Sequence, residues 1–270
     1  MKVAVLGSGS RGNAIALQDN DQVLLIDAGF GAKSLKRRAT AAKVTLDRVA
    51  AILLTHEHGD HSRGAAALAR ELDCPVYASA GTLRALTRRN KGLKTFEISP
   101  GDPVTLNGVH IRTCFTSHDA AEPLAFAVES TSSGIRLGLA YDLGCSSAEI
   151  RGLLAGCDCL MVESNHDDTM LRNGPYPARV RYRIAGPGGH LSNRAAAQLL
   201  RDLVHEGLST VVLLHLSDRC NRPELAVRDV GDALESRGFG GTLMVARQDK
   251  PLPLFEVVQR ERQLSLGILG

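Results

Sequence analysis

Three of the nine histidines in this chain fall within six residues, and that turn constrains the fold more than any other segment. It reads Thr55-His56-Glu57-His58-Gly59-Asp60-His61. The apolar run 49–54 before it predicts a buried strand, and the Ala/Leu-rich segment 63–72 after it predicts a helix with Ser62 near its N-cap. Neutral imidazoles and a carboxylate gathered on one turn suit zinc, manganese or iron. The sequence therefore predicts a metal centre here, against the alternative of a polar loop that happens to hold histidines.

Further metal donors lie at the ends of other predicted strands. His118 follows the apolar run 109–115, Asp142 follows 135–141, and His215 follows 210–214. The full donor set is His56, His58, Asp60, His61, His118, Asp142 and His215. One tetrahedral ion needs three protein ligands plus water. Seven donors are too many for one ion and suit two.

The order of the predicted elements indicates an α/β or α+β chain with mixed sheets. Apolar strands over 2–6, 14–18 and 22–26 predict an opening antiparallel meander. Later strands are predicted over 95–98, 103–106, 109–115, 124–130, 135–141, 158–163, 210–214, 242–246 and 253–258, and helices over 31–42, 146–154, 192–205 and 222–237. Two successive halves of strands and helices suggest two sheets packed face to face. We predict one domain over 1–258 and a C-terminal tail over 259–270.

Composition limits the classes of protein that fit. A chain of 270 residues with 44% apolar and 23% charged residues is typical of a globular protein with a large core. The net charge of +3 means that attraction to nucleic acid must come from local clusters. Aromatic residues make up only 4%, which argues against a binding surface built on base stacking.

The sequence predicts a cytoplasmic protein that does not insert into membranes. Met1-Lys2 leads directly into a first strand too short for a signal peptide, and no apolar run approaches a membrane span. The six cysteines are scattered, which fits reduced thiols. Cys157 and Cys159 lack a second such pair, so we expect no metal site there.

Several motifs together resemble one family. The HxHxDH turn is accompanied by SGSRGN at 8–13, LIDAG at 25–29, SHDA at 117–120, YDLG at 141–144, ESNHD at 163–167, GHLSN at 189–193 and HLS at 215–217. The turn resembles the signature of the metallo-β-lactamase superfamily. The combined set is similar to the YycJ/WalJ-like branch, whose members are bacterial nucleases or presumed nucleases.

This resemblance implies a fold and a ligand assignment. The fold would be the four-layer αββα sandwich, with two mixed sheets inside and helices outside. His56, His58 and His118 would hold one ion, Asp60, His61 and His215 a second, and Asp142 would lie between them. Asp27 would brace the metal loop through hydrogen bonds without touching an ion. The ions would be zinc or manganese, or else iron, and they would share a hydroxide that attacks phosphorus.

The remaining histidines differ in their expected roles. We predict that His190, on a Gly-rich exposed turn, is a general acid and not a ligand, by resemblance to the extra histidine of related β-CASP nucleases. A structural or helix-capping histidine is the alternative. Asp60 and His190 are thus the candidate catalytic residues. His166 could line the cleft, while His110 in a strand and His205 at a helix end are expected to be structural.

Phosphate contacts are expected at two places. The turn between the first two strands offers Ser10 and Asn13, although an ordinary hairpin turn explains it equally well. A basic cluster beside the GHLSN motif offers Arg179, Arg181 and Arg183, followed by Ser192 and Asn193. Other basic clusters, at 33–43 and 84–94, are better explained as solvated helix faces.

The leading hypothesis is a two-metal phosphodiesterase acting on nucleic acid, as an exonuclease. The branch resemblance implies DNA with a 5′-to-3′ direction, but no residue separates DNA from RNA. The alternative is a small-molecule hydrolase, such as a glyoxalase II-like thioesterase or a cyclic phosphodiesterase. A non-catalytic scaffold is disfavoured because every expected ligand position is filled. No protein partner is implied.

Overall fold

The structure, a computed structural model, describes residues 1–259. In this part of the chain, fourteen strands form two mixed sheets of seven strands each. The predicted tail over 259–270 lies outside the described residues from position 260 onward. No helix within residues 1–259 is long and apolar enough to cross a membrane.

The first sheet contains the predicted meander and then turns parallel. Its order is β14-β1-β2-β3-β4-β5-β6. The strands are β1 (Lys2–Gly7), β2 (Ala14–Asp19), β3 (Gln22–Ile26), β4 (Val49–Leu53), β5 (Val76–Ala78), β6 (Thr95–Glu97) and β14 (Leu252–Glu256). Strands β1 to β3 pair antiparallel, and β3 to β6 pair parallel. The last strand returns across the molecule to pair with the first.

The second sheet likewise begins with antiparallel strands and continues with parallel strands. Its order is β13-β12-β11-β10-β9-β8-β7. The strands are β7 (Val104–Leu106), β8 (Val109–Phe115), β9 (Leu124–Ser130), β10 (Arg136–Ala140), β11 (Cys159–Glu163), β12 (Thr210–Leu214) and β13 (Thr242–Val245). Strands β7 to β10 pair antiparallel, and β10 to β13 pair parallel.

Helices cover the outer face of each sheet. They are α1 (Ala32–Ala41), α2 (Gly59–Ser62), α3 (Ala65–Glu71), α4 (Ala80–Arg89), α5 (Ala148–Leu154), α6 (Asp168–Arg172), α7 (Ala178–Ala185), α8 (Asn193–Leu203) and α9 (Pro223–Glu235). One apolar cluster fills the space between the sheets. A second lies between the first sheet and α1, α3 and α4, and a third between the second sheet and α5, α8 and α9. These four layers confirm the predicted fold class.

Local differences from the prediction concern short elements. Strand β5 and helices α6 and α7 were not predicted, and α4 overlaps the solvated helix face predicted over 84–94. The expected cap at Ser62 is wrong, because its hydroxyl donates to the carbonyls of Glu57 and His58 within the metal loop. The chain there forms the single turn α2, and Gly64 separates it from α3. A Cβ at Gly64 would lie 2.0 Å from the Phe30 carbonyl oxygen, so the turn can pack closely only with glycine.

The space between the sheets should supply much of the stability. Replacing the fully buried Phe126 of β9 with alanine should lower the free energy of unfolding by about 3–5 kcal/mol, because it leaves a cavity. Urea denaturation measures the loss. Phe115 in the adjacent strand β8 is 51% exposed and is the matched control, with an expected change under about 0.5 kcal/mol. Equal losses for the two variants would contradict this location of the core.

Candidate metal centre

Both sheets deliver polar side chains to one edge of the sandwich. In each sheet, the parallel strands end at this edge, which is where such folds bind ligands. Asp27 follows β3 and His56 follows β4 in the first sheet. In the second sheet, Asp142 follows β10, Glu163 ends β11, and His215 follows β12.

The backbone is strained at three of these positions. Asp27, Asp142 and His215 have φ angles of 60°, 51° and 55°, in the left-handed region that non-glycine residues rarely adopt. Asp27 and His215 directly follow the last residue of a strand, and Asp142 is the second residue after one. Such strain is concentrated at functional sites, because the surrounding structure must hold it in place. The His215 N–H is held by the hydroxyl of Ser8, which accepts its hydrogen bond at 2.8 Å.

The sequence-predicted donors come together in overlapping clusters. Within each cluster, the potential ligand atoms all lie within 4.8 Å of one another. The clusters are His56, His58 and His118; Asp60, His61 and His215; His56, His61 and Asp142; and Asp142, Glu163, His190 and His215. All seven predicted ligands therefore belong to one continuous group of side chains.

Three buried atoms in this group fit a bound cation. His56 Nε2 and His215 Nε2 have no hydrogen-bond partner among the described residues, and Asp142 Oδ2 lies 2.7 Å from His61 Nε2, itself a predicted ligand atom. Buried polar atoms are normally hydrogen-bonded, so unpaired ones need an explanation such as an ion. Imidazole nitrogens and a carboxylate oxygen are suitable ligands for divalent zinc, manganese or iron. The buried histidines and aspartates are consistent with a binuclear metal site.

The electrostatics of the cluster also favour positive charge. Burial lowers the pKa of the His215 imidazole, but the neighbouring carboxylates of Asp142, Asp60 and Glu163 outweigh burial and raise it to about 9. Burial raises the pKa of the Asp60 carboxyl, but the nearby imidazoles of His215 and His61 hold it well below its usual range. The buried carboxylates thus stabilise protons on their neighbours and would stabilise cations in the same way.

Asp27 braces the metal loop from behind His61. Its Oδ2 lies 2.6 Å from His61 Nδ1, and it also accepts hydrogen bonds from the Thr55 hydroxyl and the Tyr141 phenol. Its Oδ1 accepts from the Thr55 N–H at 2.8 Å. This leaves His61 Nε2 turned toward Asp142 Oδ2 at 2.7 Å. Asp27 therefore connects Thr55, His61 and Tyr141, and its bracing of a metal ligand stays a prediction.

Glu163 is the functional residue that the sequence reasoning missed. It is fully buried, and its Oε1 lies 2.7 Å from His190 Nδ1 and 3.0 Å from His215 Nδ1. Its Oε2 accepts from the N–H groups of Leu143 and Leu191. Burial raises the pKa of this carboxyl, but His190 opposes it and lowers the pKa to about 2. An acid that ends an apolar strand within the ESNHD motif was the available clue.

His190 lies inside the cluster, whereas the sequence predicted an exposed turn. Its side chain is only 18% exposed, and its Nδ1 lies 3.2 Å from Asp142 Oδ1 as well as contacting Glu163. Its ring centroid lies 5.2 Å from those of His118 and His215. The loop bends inward at Gly189, where a Cβ would meet the carbonyl oxygens of α7 at 2.2 Å.

The two amides predicted to contact phosphate are each 1% exposed, at Asn13 and Asn193. The Asn13 side-chain oxygen accepts from Ser8 and Gly9, which fixes the glycine-rich turn, and its Nδ2 lies 3.1 Å from His61 Nε2. Its contact with phosphate stays a prediction. The Asn193 amide hydrogen-bonds with Ser164 and with another buried asparagine, Asn221. The prediction for Asn193 is wrong, because its side chain ties loops together below the surface.

The other predicted phosphate contacts lie closer to solvent. Ser10 and Arg179 are exposed, and Arg183 Nη1 lies 3.6 Å from Asp119, next to His118. The Ser192 hydroxyl caps α8 by accepting from the Ala195 N–H. Arg181 donates to the Arg172 carbonyl.

The three remaining histidines lie outside the clusters. His205 hydrogen-bonds to the Cys157 carbonyl, and His110 is exposed beside Thr105, so both fit structural roles. His166 is buried, which lowers the pKa of its imidazole, and its Nδ1 has no partner among residues 1–259.

Comparisons with known proteins agree with this architecture. A family described as the beta-lactamase superfamily domain matches residues 22–216. The chain is 37% identical over 240 residues to the exodeoxyribonuclease YycJ of Bacillus anthracis, covering 88% of this chain and 90% of that one. It is 32% identical over 245 residues to the exodeoxyribonuclease WalJ of Streptococcus pneumoniae, again covering 88% and 90%.

Two solved structures show the same fold. The metallo-β-lactamase fold protein YhfI from Bacillus subtilis superposes with a TM-score of 0.70 at 17% identity, covering 94% of this chain and 98% of that one. The short form of human tRNase Z gives 0.65 at 16% identity, covering 96% and 100%. The chain therefore belongs to the metallo-β-lactamase superfamily and is a metal-dependent hydrolase.

Proposed function

We propose that this protein is a nucleic-acid phosphodiesterase, acting as an exonuclease on DNA in the 5′-to-3′ direction. The observation that carries the proposal is the likeness, over 88% of the chain, to two proteins named exodeoxyribonucleases. The cluster of buried metal donors at the sheet edge supports it, because phosphodiester hydrolysis is a reaction well suited to paired divalent ions.

The ligand assignment follows the clusters of donor atoms. His56, His58 and His118 would hold one ion; Asp60, His61 and His215 would hold the second; and Asp142 would lie between them. Bound there, two zinc, manganese or iron ions would polarise the phosphodiester and lower the pKa of a water molecule. Asp60 is also proposed to be catalytic, since it is the partly exposed carboxylate of the second set.

The carboxylates of this chain orient the imidazoles that surround the substrate. Asp27 contacts Nδ1 of His61, and Glu163 contacts Nδ1 of His215. Both rings therefore present Nε2 to the centre of the cluster. Such hydrogen bonds fix the tautomer and the ring plane of a ligand before it binds.

We assign His190 as the general acid. Its Nδ1 faces Glu163 and Asp142, which leaves Nε2 on the opposite side of the ring. Burial lowers the pKa of the His190 imidazole, but Glu163 and Asp142 outweigh burial and raise it well above its ordinary value. A ring held in its protonated form can give a proton to the oxygen that leaves phosphorus.

Basic residues near this loop would contact the phosphates of the strand. Arg179 and Arg183 are exposed on α7, Ser10 is exposed in the turn between β1 and β2, and Ser192 stands two residues after His190. Arg183 lies closest to the metal donors, through its contact with Asp119. Arginine forms paired hydrogen bonds with phosphate, which suits this role.

The test of the proposed function is a substrate panel. Metal-loaded protein is incubated with end-labelled DNA, end-labelled RNA, a cyclic nucleotide and a thioester. We expect progressive shortening of DNA from its 5′ end. The affinity for DNA should fall steeply as salt rises, because phosphate contacts release counterions. Turnover of the thioester or cyclic nucleotide alone, with no strand cut under any divalent metal, would replace this function by a small-molecule hydrolase.

Metal analysis tests the two-ion assignment. Freshly purified protein should contain about two divalent ions per chain. Asp142→Ala should lower occupancy of both positions, because the carboxylate lies between the two sets of ligands. The control is Asp73→Ala, an exposed aspartate paired with Lys94 on the surface. Full activity with a single tightly held ion would rule the assignment out.

Two substrates with different leaving groups test His190. A sugar alkoxide leaves poorly without a proton, whereas p-nitrophenolate hardly needs one. His190→Ala should therefore lose roughly 10²–10⁴-fold in activity on DNA, keep both metals, and keep most activity on a p-nitrophenyl phosphodiester.

His215→Ala is the comparison, since it should lose metal and fail on both substrates. Equal losses on both substrates for His190→Ala, with its metals retained, would indicate phosphate binding by His190. Loss of metal from His190→Ala would mean that His190 is a ligand.

A further inference from the structure

A large groove lies beside the metal centre, on the outer face of the second sheet. It has a volume of about 1090 Å³ and is bordered by α6, α7, α8 and α9. Ser192 and Asp168 belong to its lining. Ser192 stands two residues after His190 of the cluster, and Asp168 stands two residues after His166, whose backbone is bridged to that of Ser192. The groove therefore begins next to the loop that carries His190.

Four arginines line the groove. They are Arg172, Arg181, Arg194 and Arg201, and none of the four forms an ion pair with another residue in the described range. Helix α8 starts at the groove, with Ser192 as its cap and no acidic residue in its first turn. The positive end of the helix adds to the charge of the arginines. These arginines are suited to the phosphates of a strand.

Three aspartates also line the groove. They are Asp168 on α6, and Asp229 and Asp232 on α9. Asp168 shares α6 with Arg172, and Asp229 is paired with Arg228 at 2.8 Å. A carboxylate repels a bare polyanion but accepts hydrogen bonds from the amino groups of bases and the hydroxyls of sugars. A ligand that carries phosphates as well as bases and sugars matches this mixed lining.

Tyr182 supplies an aromatic surface at the rim. Its side chain is 80% exposed, on a helix, α7, in which no residue is buried. Helix α7 is nevertheless tied to its neighbours, because Arg181 donates to the Arg172 carbonyl and the His190 N–H donates to the Ile184 carbonyl. The helix thus contributes little to the core and presents Tyr182 in a defined place. A base stacks on such a ring whatever its sequence.

We propose that this groove binds a single-stranded segment of nucleic acid that continues from the site on the His190 side, with phosphates on the four arginines and one base on Tyr182. The inference rests on the proposed function and names where the substrate strand runs. It requires only one stacking position, which agrees with the low aromatic content of the chain.

The experiment measures binding of a labelled single strand to the full-length, metal-loaded protein. Phosphorothioate linkages slow its hydrolysis, and fluorescence anisotropy gives the affinity over a range of salt concentrations. The variants are Arg194→Ala/Arg201→Ala and Tyr182→Ala. The control is Lys33→Ala/Arg37→Ala, which removes two exposed charges from α1 on the other sheet. Urea denaturation verifies that each variant is folded.

We expect the double arginine variant to weaken binding at low salt by about tenfold or more, and to reduce the slope of log affinity against log salt by about 1.4. Tyr182→Ala should weaken binding by roughly five- to a hundredfold with an unchanged slope. The control variant should bind like the original protein. These results together would support the groove as the binding path.

Two results would overturn the inference while leaving the proposed function intact. One is that the original protein cleaves DNA while the groove variants bind the strand as tightly as the control variant does. The other is displacement of the strand by polyglutamate as readily as by unlabelled DNA, which would show a general anion surface. Absence of both strand binding and cleavage in the original protein would overturn the proposed function itself.

Discussion

The rest of the site depends on the hydrogen bonds and opposite charges that stabilise its buried carboxylates. Asp27, Asp142 and Glu163 are almost completely buried, and an isolated charge in such a place is very costly. Each is held by imidazoles, by backbone N–H groups, or by hydroxyls. The same contacts that satisfy the acids turn the histidine rings toward a common centre. The contacts that stabilise the buried charges therefore also orient the metal donors.

That arrangement requires rigid support from both halves of the chain. Ser8, in the first half, holds the backbone of His215, in the second, and the Ser117 hydroxyl donates to the Pro187 carbonyl next to the His190 loop. A Cβ at Gly144 would meet the Pro187 carbonyl oxygen at 2.0 Å, so the loops after β10 and α7 meet backbone to backbone. Strained residues each cost on the order of 1–3 kcal/mol, and three apolar clusters surround and offset them.

The sequence predicted the long elements and the donor set because both leave clear patterns. Apolar runs marked strands such as β12 and β4 to within a residue, and the spacing of His56, His58 and His61 marked the metal loop. Helix α7 escaped prediction because it is short and buries none of its residues. Glu163 escaped because its role depends on neighbours distant in sequence. Asn193 was misjudged because a polar residue in a conspicuous motif was assumed to face solvent.

The return of β14 to the first sheet affects how the protein is made. Strand β1 pairs with β14 across almost the full length of the chain, from Lys2 to Glu256. During synthesis, the amino-terminal half leaves the ribosome first, and β1 stays an edge strand of its sheet until β14 emerges and pairs with it. An open edge can pair with strands of other chains. The nascent protein is consequently most prone to aggregation, and still without its complete set of metal donors, until the second half of the chain has been made.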